Sequence, residues 1–260
     1  MRYAVHPINK SSISPLMYEA EFGKRLDENG KKRIRIDALC PACGKGLHLV
    51  GDTDPKVDTI FSHYPKTGFC PIKESGKHKY RILPNVDEDP ERARELKKSF
   101  FNNWKIHWNR FRQYAGHADI EDFITLIEYA DKKNVWYYRH LEEHEVIIVF
   151  LVIKDFKPVV THEGKVLRKH WVRFWFDSAV RGLEDFWHLP DVDKVMLKAS
   201  YKVPVGEKLS PDYMMHFQVV DVDDTYLSHP VEGADTVPNY VEHKMRKTVK
   251  KHLKKIQQSA

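Results

Sequence analysis

The chain has 260 residues, of which 42% are hydrophobic and 12% aromatic, so it can bury a core and is not an intrinsically disordered polymer. Its longest apolar run, Val146–Ile153, is too short to span a bilayer, no secretory signal is expected in MRYAVHPINK, and three cysteines favour a reducing, cytoplasmic setting. The net charge of +6 and the pI of about 9.0 suit a polyanionic partner without identifying one.

The first part of the chain is predicted to form a β-hairpin. Leu16–Gly23 and Arg33–Leu39 alternate as strands do, and the segment DENGKK between them is a turn signal. The cysteine-containing segment that follows has too few apolar residues for a core of its own, and a metal can replace burial in such a segment. The polar segment Leu83–Glu91 indicates a boundary. We therefore predict two domains, residues 1–85 and residues 86–260.

Two helices are predicted after this boundary. The first, Glu91–Ala115, has one apolar stripe at helical spacing and ends at Gly116. The stripe consists of Leu96, Phe100, Trp104, Trp108 and Phe111. The second helix is predicted at Ile120–Lys132, with Asp119 as its N-cap.

The middle of the chain changes to a β-type pattern. Runs rich in valine, isoleucine and aromatic residues alternate with turn residues, which predicts one largely antiparallel sheet. The runs are NVWYYRHL, EVIIVFLVIKDF (interpreted as a buried strand), HWVRFWFDS, KVMLKASYKV and MMHFQVVDV. A short helix is predicted at Ser178–Phe186, and a helix at Pro238–Gln257 closes the chain.

All three cysteines fall in one segment with a histidine at metal-ligand spacing. Cys40 and Cys43 form a C-x₂-C pair, and His63 and Cys70 follow it, each near turn residues. A Cys₃His set suits tetrahedral Zn²⁺, and four protein ligands leave no position for water, so a structural zinc site is predicted. The predicted fold class is therefore α+β: a β-hairpin and zinc module, then helices, a largely antiparallel sheet and a C-terminal helix.

Three alternatives to this ligand set stay open. CPAC could be a thioredoxin-like redox pair, although no helical pattern follows it, and the three thiols could be buried and inert. His48 competes with His63 as the fourth ligand. His63 is favoured because His48 lies in the strand-like segment GLHLV, where a histidine is more often structural.

The N-terminal residues resemble the competence protein CoiA family and its zinc-binding relatives. The resemblance rests on MRYAV, the early hairpin, CPAC and IFSHY, and it covers residues 1–85. The family has an HFxH-like element, in which Ile60 replaces the first histidine here and His63 is the second, so Cys70 would supply the missing ligand. The resemblance implies DNA handling in uptake, recombination or phage defence. It carries no active site across.

The β-rich part contains one weak match to a metal-dependent nuclease. Asp155 with Glu163 and Lys165 approximates the acid and E-x-K pattern that holds Mg²⁺ and water. The segment THEGK is also typical of a hairpin turn, which is the favoured interpretation. Acid clusters at Asp191–Lys194 and Asp221–Asp224 could hold a divalent cation but are typical of loop surfaces.

The last predicted helix carries the clearest charge signal. One face is apolar and the rest is basic, which suits contact with phosphate groups, although a merely solvated helix has the same pattern. The apolar stripe consists of Val241, Met245, Val249, Leu253 and Ile256. The basic residues are Lys244, Arg246, Lys247, Lys250, Lys251, Lys254 and Lys255.

These features together predict a zinc-containing nucleic-acid-binding or DNA-processing accessory protein. One alternative is an enzyme, a nuclease that would require Mg²⁺. Another is a zinc-stabilised adaptor that binds a protein partner. Membrane binding is disfavoured because the apolar stripe of the last helix contains neither tryptophan nor phenylalanine.

Overall fold

The fold is known from a computed structural model that describes residues 1–54, 56–67, 70, 72, 88–176 and 195–258. The described α-helices are α1 (Pro15–Phe22), α2 (Pro90–Asn102), α3 (Trp104–Ala115), α4 (Ile120–Lys132), α5 (Glu143–Ile153), α6 (Thr225–Ser228) and α7 (Asn239–Gln258). The described strands are β1 (Ala4–Val5), β2 (Ser12–Ile13), β3 (Ala38–Leu39), β4 (Gly46–Val50), β5 (Ile60–His63), β6 (Val159–Val160), β7 (Val166–Arg168), β8 (Trp171–Phe176), β9 (Met196–Tyr201) and β10 (Met214–Val220). The predicted α+β class is confirmed.

The chain divides into two compact units, neither of which is continuous in sequence. The first comprises the described parts of Met1–Lys79, His170–Arg181 and Asp193–Val220. The second comprises the described parts of Tyr80–Lys169, Gly182–Val192 and Asp221–Ala260. The predicted domain boundary after residue 85 and the predicted helix Ser178–Phe186 lie outside the described residues.

The first unit contains a five-stranded antiparallel sheet in the order β2-β1-β3-β4-β5. The α-amino group of Met1 donates a hydrogen bond to the carbonyl of Phe61 on β5, over 2.7 Å. A separate three-stranded antiparallel sheet has the order β10-β9-β8 and pairs Trp171 with Tyr201 at one end of β8. Its three strands confirm three of the predicted β runs.

The predicted hairpin of Leu16–Gly23 and Arg33–Leu39 is wrong for its first arm. Residues 15–22 form α1, because Ser14 caps the helix by accepting a hydrogen bond from the amide of Met17, and Pro15 occupies the first helical turn. In the second arm only Ala38–Leu39 forms a strand. Residues 16–23 alternate as a strand does, but the Ser-Pro start that precedes them favours a helix.

The second unit is built around aromatic side chains. Phe100 and Phe123 have ring centroids 6.1 Å apart, and each makes an edge-on contact with Phe150 at 6.2 and 5.8 Å. Trp108 and Phe111 extend the cluster and are 1% and 0% exposed. The apolar stripe predicted for Glu91–Ala115 is therefore buried as expected.

The predicted single helix Glu91–Ala115 is two helices, α2 and α3, that meet at Asn103. This residue has φ −99° and ψ 11°, and its side chain donates a hydrogen bond to Glu143 over 2.9 Å. Asparagine favours such interruptions because its side chain competes with the helical backbone for hydrogen bonds. The spacing of four residues keeps the stripe continuous across the break, so periodicity alone could not reveal it. Gly116 ends α3 with φ +75°, as predicted.

The run EVIIVFLVIKDF was predicted as a buried strand and is wrong, since it forms α5. Every residue from Glu145 to Ile153 is buried. A continuous apolar run fits a fully buried helix as well as a buried strand. The deciding feature is a capping box, in which Glu142 and Glu145 exchange side-chain and backbone hydrogen bonds at the start of the helix.

Three further predicted elements can be compared with the structure. The run NVWYYRHL is not a strand but contains a 3₁₀-helix at Val135–Tyr137. Helix α4 has the predicted bounds, and Asp119 is its first capping residue. Helix α7 runs one residue later at each end than the predicted Pro238–Gln257.

A buried polar network links four helices of the second unit, α2, α3, α5 and α6. His107 is 0% exposed, and its Nε2–H donates to Glu143 over 2.9 Å while its Nδ1 accepts from the Tyr226 hydroxyl over 3.0 Å. Glu143 also accepts hydrogen bonds from Ser99 and Asn103. Burial lowers the pKa of His107 even though the hydrogen bond with Glu143 raises it, so the imidazole is held in its neutral form.

We predict that the free energy of unfolding falls as the pH is lowered below about 6.5, where the unfolded chain protonates His107 and the folded chain does not. Above that pH the neutral His107 makes its full contribution to the free energy of unfolding, because folding lowers the pKa of this residue. Denaturant titrations at pH 7.5 and pH 5.5 should show a smaller loss in His107→Gln than in the unsubstituted chain. The exposed His243, changed to glutamine, is the control and should leave the pH dependence unaltered. Equal losses in all three proteins would contradict the prediction.

Candidate metal centre

The C-x₂-C pair lies in a tight turn between β3 and β4. The amide of Cys40 donates to the carbonyl of Lys45, and the amide of Gly44 donates to the carbonyl of Cys40, each over 2.8 Å. Gly44 has φ +64°, a left-handed conformation that glycine adopts without a steric cost. The turn therefore aims two thiols at one point, and the β4–β5 hairpin brings His63 to the same point.

The structure brings the four predicted ligands together. The sulfurs of Cys40 and Cys70 are 3.6 Å apart, and the sulfur of Cys43 is 3.3 Å from Nε2 of His63. All four ligand atoms lie within 4.8 Å of one another. Tetrahedral bonds of about 2.3 Å to sulfur and 2.0 Å to nitrogen would separate two sulfurs by about 3.8 Å, and sulfur from nitrogen by about 3.5 Å. The observed separations fit one metal ion.

The three cysteines are reduced and buried, and burial disfavours the charged thiolate form of each. Cys40, Cys43 and Cys70 are 2%, 6% and 1% exposed and form no disulfide. Burial raises the pKa of Cys40 well above its usual value. Hydrogen bonds from the Cys40 and Cys70 thiols lower the pKa of Cys43. The hydrogen bond to Cys40 opposes the change at Cys70, but the contact with Cys43 and burial together raise its pKa to about 12.

Burial and the mutual contact of the three thiols therefore oppose the ionisation of all of them together. A divalent ion supplies the charge that lets all three thiols ionise, since a coordinating thiol is deprotonated. Cys40, Cys43, His63 and Cys70 therefore form a cluster compatible with a metal ion such as zinc. Four protein ligands complete a tetrahedron, so the site has the closed form of a structural centre.

The register of the β4–β5 hairpin separates the two candidate histidines. His63 pairs with Leu47, and His48 pairs with Ser62, so the two histidines project from opposite faces of the sheet. The ring of His48 packs against Tyr64 with centroids 4.6 Å apart. His63, and not His48, contributes to the cysteine cluster.

The nuclease candidates lie away from any clustered ligand set. Glu163 and Lys165 are exposed in the turn between β6 and β7, which is closed by the amide of Gly164 donating to the carbonyl of Thr161 over 2.9 Å. Asp155 lies between α5 and β6. In the described part of the chain, the cysteine–histidine cluster is the one group of three or more potential metal ligands found together. The nuclease hypothesis stays a prediction.

The two predicted acid clusters have different outcomes. Asp191–Lys194 lies outside the described residues. In Asp221–Asp224, Asp223 accepts hydrogen bonds from the backbone and side chain of Thr225 and pairs with Arg110 over 3.1 Å. The hydrogen bond from the Thr225 side chain is the main cause of the lowered pKa of Asp223. The Asp223 carboxylate therefore stabilises the turn that precedes α6.

The basic residues of α7 are exposed, except Lys255, whose side chain is outside the described part. Two of them pair with acids of α4: Lys244 with Glu121, and Lys251 with Glu128 over 3.5 Å. The buried face is formed by Val241, Met245, Thr248 and His252, so it is more polar than the predicted stripe. The His252 ring stacks on Phe101 with centroids 4.6 Å apart.

A basic pocket that no sequence motif predicts lies in the first unit, lined by Arg25, Arg33, Arg35, His48 and Tyr64 among others. Its sequence signal is the alternation of cations and isoleucines in KRIRI, a pattern that also fits a strand.

Comparison with known proteins identifies no relative of this chain. No family model, no curated protein and no solved structure matches this chain. The resemblance to the CoiA family stays a prediction. Among the described helices, none is both long enough and apolar enough to cross a membrane.

We predict that His63→Gln weakens metal binding by at least about 100-fold, because loss of a ligand should exceed the 10–100-fold cost of losing a group that only supports one. His48→Gln is the matched control on the same hairpin and should retain full metal content. Atomic emission spectrometry of the purified variants, followed by titration with a competing chelator, measures both. Equal metal loss in the two variants would contradict the assignment of His63.

Chelation should loosen the sheet around the cluster. We expect amide hydrogen exchange in Gly46–Val50 and Ile60–His63 to rise by at least about tenfold once the metal is removed, since the metal links these strands to Cys40 and Cys70. Amides of α4, in the other unit, serve as the internal reference and should not change. Unaltered exchange in β4 and β5 would mean that the cluster does not support the sheet.

Proposed function

We propose that this chain is a zinc-stabilised nucleic-acid-binding protein whose exposed basic helix face contacts phosphate groups. The observation that carries the proposal is a group of four exposed cations on α7 that make no ion pair with another described residue. They are Arg246, Lys247, Lys250 and Lys254. The zinc is structural, and the contact with nucleic acid is made elsewhere on the chain.

Zinc is the proposed metal because of the donor set. Three thiolates and one imidazole favour a borderline-soft ion without a strong geometric preference, and the ligand atoms lie close enough together to surround one ion. Oxygen ligands, which Mg²⁺ and Ca²⁺ require, are absent from this cluster of Cys40, Cys43, His63 and Cys70. The ion would hold the four side chains in place and supply no reactive position.

The arrangement of charges on α7 supports a phosphate-binding face. At about 100° per residue, the four cations lie within roughly 100° of the helix circumference. Lys244 and Lys251 lie on the flank nearest α4, where Glu121 and Glu128 compensate their charge. The unpaired cations therefore form a separate strip that can neutralise several phosphates without breaking an existing ion pair.

The cellular setting is proposed from the CoiA resemblance of residues 1–85. That resemblance favours an accessory role in DNA uptake, recombination or phage defence, in the cytoplasm. Contacts with phosphates alone would give affinity without sequence preference, which suits a protein that handles incoming DNA of any sequence.

We predict that binding to a DNA duplex weakens with salt and that Lys250→Gln/Lys254→Gln reduces the slope of log K against log salt by about 2, since each phosphate contact contributes about 0.9. Lys244→Gln/Lys251→Gln is the matched control: it removes the same charge from the same helix, but from side chains that are already paired. Fluorescence anisotropy with labelled duplex and single-stranded DNA at 50–300 mM salt measures the slopes.

Two results would contradict the proposal. One is salt-independent or absent binding to both forms of DNA. The other is an equal change of slope in the two double variants, which would mean that binding follows net charge and not the unpaired strip.

A further inference from the structure

A basic pocket lies in the first unit on the side of the β4–β5 hairpin that carries His48. It encloses about 420 Å³ and is lined by Arg25, Lys32, Arg33, Arg35, His48 and Tyr64, together with Tyr18, Ile34, Asp37 and Leu49. Ligand pockets for small organic molecules start at about 300 Å³, so the space exceeds what a single anion needs. All lining residues belong to the same unit.

The cations of the pocket are placed by an ordered turn. The amide of Arg33 donates to the carbonyl of Arg25 over 2.9 Å, and this pairing sets the two arginines side by side. Asp27 closes the turn by accepting hydrogen bonds from the amides of Asn29 and Lys31. The concentration of charge is therefore built by the backbone and does not depend on flexible side chains alone.

A third guanidinium is held against the core. Arg35 lies over the ring of Tyr18 at 5.4 Å and donates to the carbonyl of Gly23 over 3.1 Å. Its Nη2 is 3.9 Å from Asp52, and Nη1 of Arg25 is 4.0 Å from the same carboxylate. These separations are ion-pair distances beyond hydrogen-bonding range, so both guanidinium groups retain N–H donors.

The negative groups near the pocket do not offset this charge. The side chain of Asp52 is 2% exposed and lies within ion-pair distance of both Arg25 and Arg35. Asp37 lines the pocket and accepts a hydrogen bond from the Tyr64 hydroxyl over 2.8 Å. Four cations thus face two carboxylates, and an anionic ligand would find donors that no protein group uses.

The other wall of the pocket is aromatic. Tyr64 is 43% exposed, and its ring packs against His48. Nδ1 of His48 is buried and has no hydrogen-bond partner among the described residues. Burial lowers the pKa of His48, so at pH 7 this wall is a neutral surface that can contact a planar ring.

We propose that this pocket binds a nucleoside monophosphate unit, with its phosphate on Arg25, Arg33 and Arg35 and its base beside His48 and Tyr64. Guanidinium groups bind phosphate through paired, charge-assisted hydrogen bonds, and aromatic side chains accept a base of any identity by stacking. The unit has two possible sources, a free nucleotide or the phosphorylated end of a strand. The pocket is on the first unit and does not involve α7, so this proposal stands apart from the proposed function.

The test is calorimetric titration of the full-length, metal-containing chain with AMP, adenosine and inorganic phosphate. We expect saturable binding of AMP that is at least about tenfold tighter than that of either fragment, because both parts of the pocket contribute. Equal affinities for AMP and adenosine, equal affinities for AMP and phosphate, or no AMP binding at millimolar concentrations would each overturn the proposal.

Matched variants locate the site. Arg25→Gln/Arg33→Gln should weaken AMP binding at least about tenfold, the cost of losing charge-assisted hydrogen bonds. Lys24→Gln/Lys31→Gln removes the same charge from exposed neighbours that do not line the pocket and should leave the affinity within twofold. Unchanged affinity in the first pair, or equal loss in both, would overturn the assignment. Unaltered metal content and circular dichroism confirm that each variant is folded.

Competition identifies the source of the nucleotide and separates this proposal from the previous one. A 5′-phosphorylated oligonucleotide that displaces AMP would make the ligand a strand end, and AMP retention would make it a free nucleotide. Lys250→Gln/Lys254→Gln should bind AMP normally. If AMP binding were lost with that pair, α7 and not the pocket would be the site.

Discussion

The charge of three buried thiols is the constraint on which the N-terminal structure depends. Cys40, Cys43 and Cys70 converge with His63 in a space where burial and mutual contact oppose the ionisation of all three thiols together. The surrounding sheet offers little to hold this arrangement, since β1, β2 and β3 are two residues long each. A bound divalent ion would resolve both problems, because it would compensate three thiolates and cross-link the β3–β4 turn to β5 and to Cys70. Ligand ionisation, metal binding and folding would then be one linked equilibrium in this part of the chain.

The second unit is stabilised by side-chain packing and buried hydrogen bonds, without a cluster of metal ligands among its described residues. Its helices bury an aromatic cluster, and one set of its buried polar groups is satisfied internally, through the contacts of His107 with Glu143 and Tyr226. Such a network stabilises the fold only in its native protonation state. If a buried group such as His107 takes up a proton, its hydrogen-bonding atoms no longer match those of its neighbours. The predicted metal dependence of one unit and the predicted pH dependence of the other thus have separate origins in how each core is built.

The success of prediction from sequence differed with the range of the interactions involved. The ligand set followed from spacing, since C-x₂-C forces a tight turn and a histidine and the third cysteine follow it in the same segment. Helix α4 and strands β8 to β10 followed from periodicity that no long-range contact overrides. Helix α5 did not, because a run of eight buried apolar residues has the same pattern in a helix and in a strand. The break at Asn103 and the convergence of Arg25, Arg33 and Arg35 depend on tertiary contacts and turn geometry, which composition and periodicity do not encode.

The β4–β5 hairpin connects the metal centre to the basic pocket through the alternation of its side chains. His63 projects from one face to the cysteine cluster, while His48 and Tyr64 lie on the side of the pocket. Because successive residues of a strand point to opposite faces, fixing His63 also fixes the position of the next residue, Tyr64. A metal bound on one face would therefore order the aromatic wall of the pocket without touching its ligand. In this arrangement a closed metal shell would support the proposed recognition of a nucleotide, although it would leave no position for chemistry at the ion.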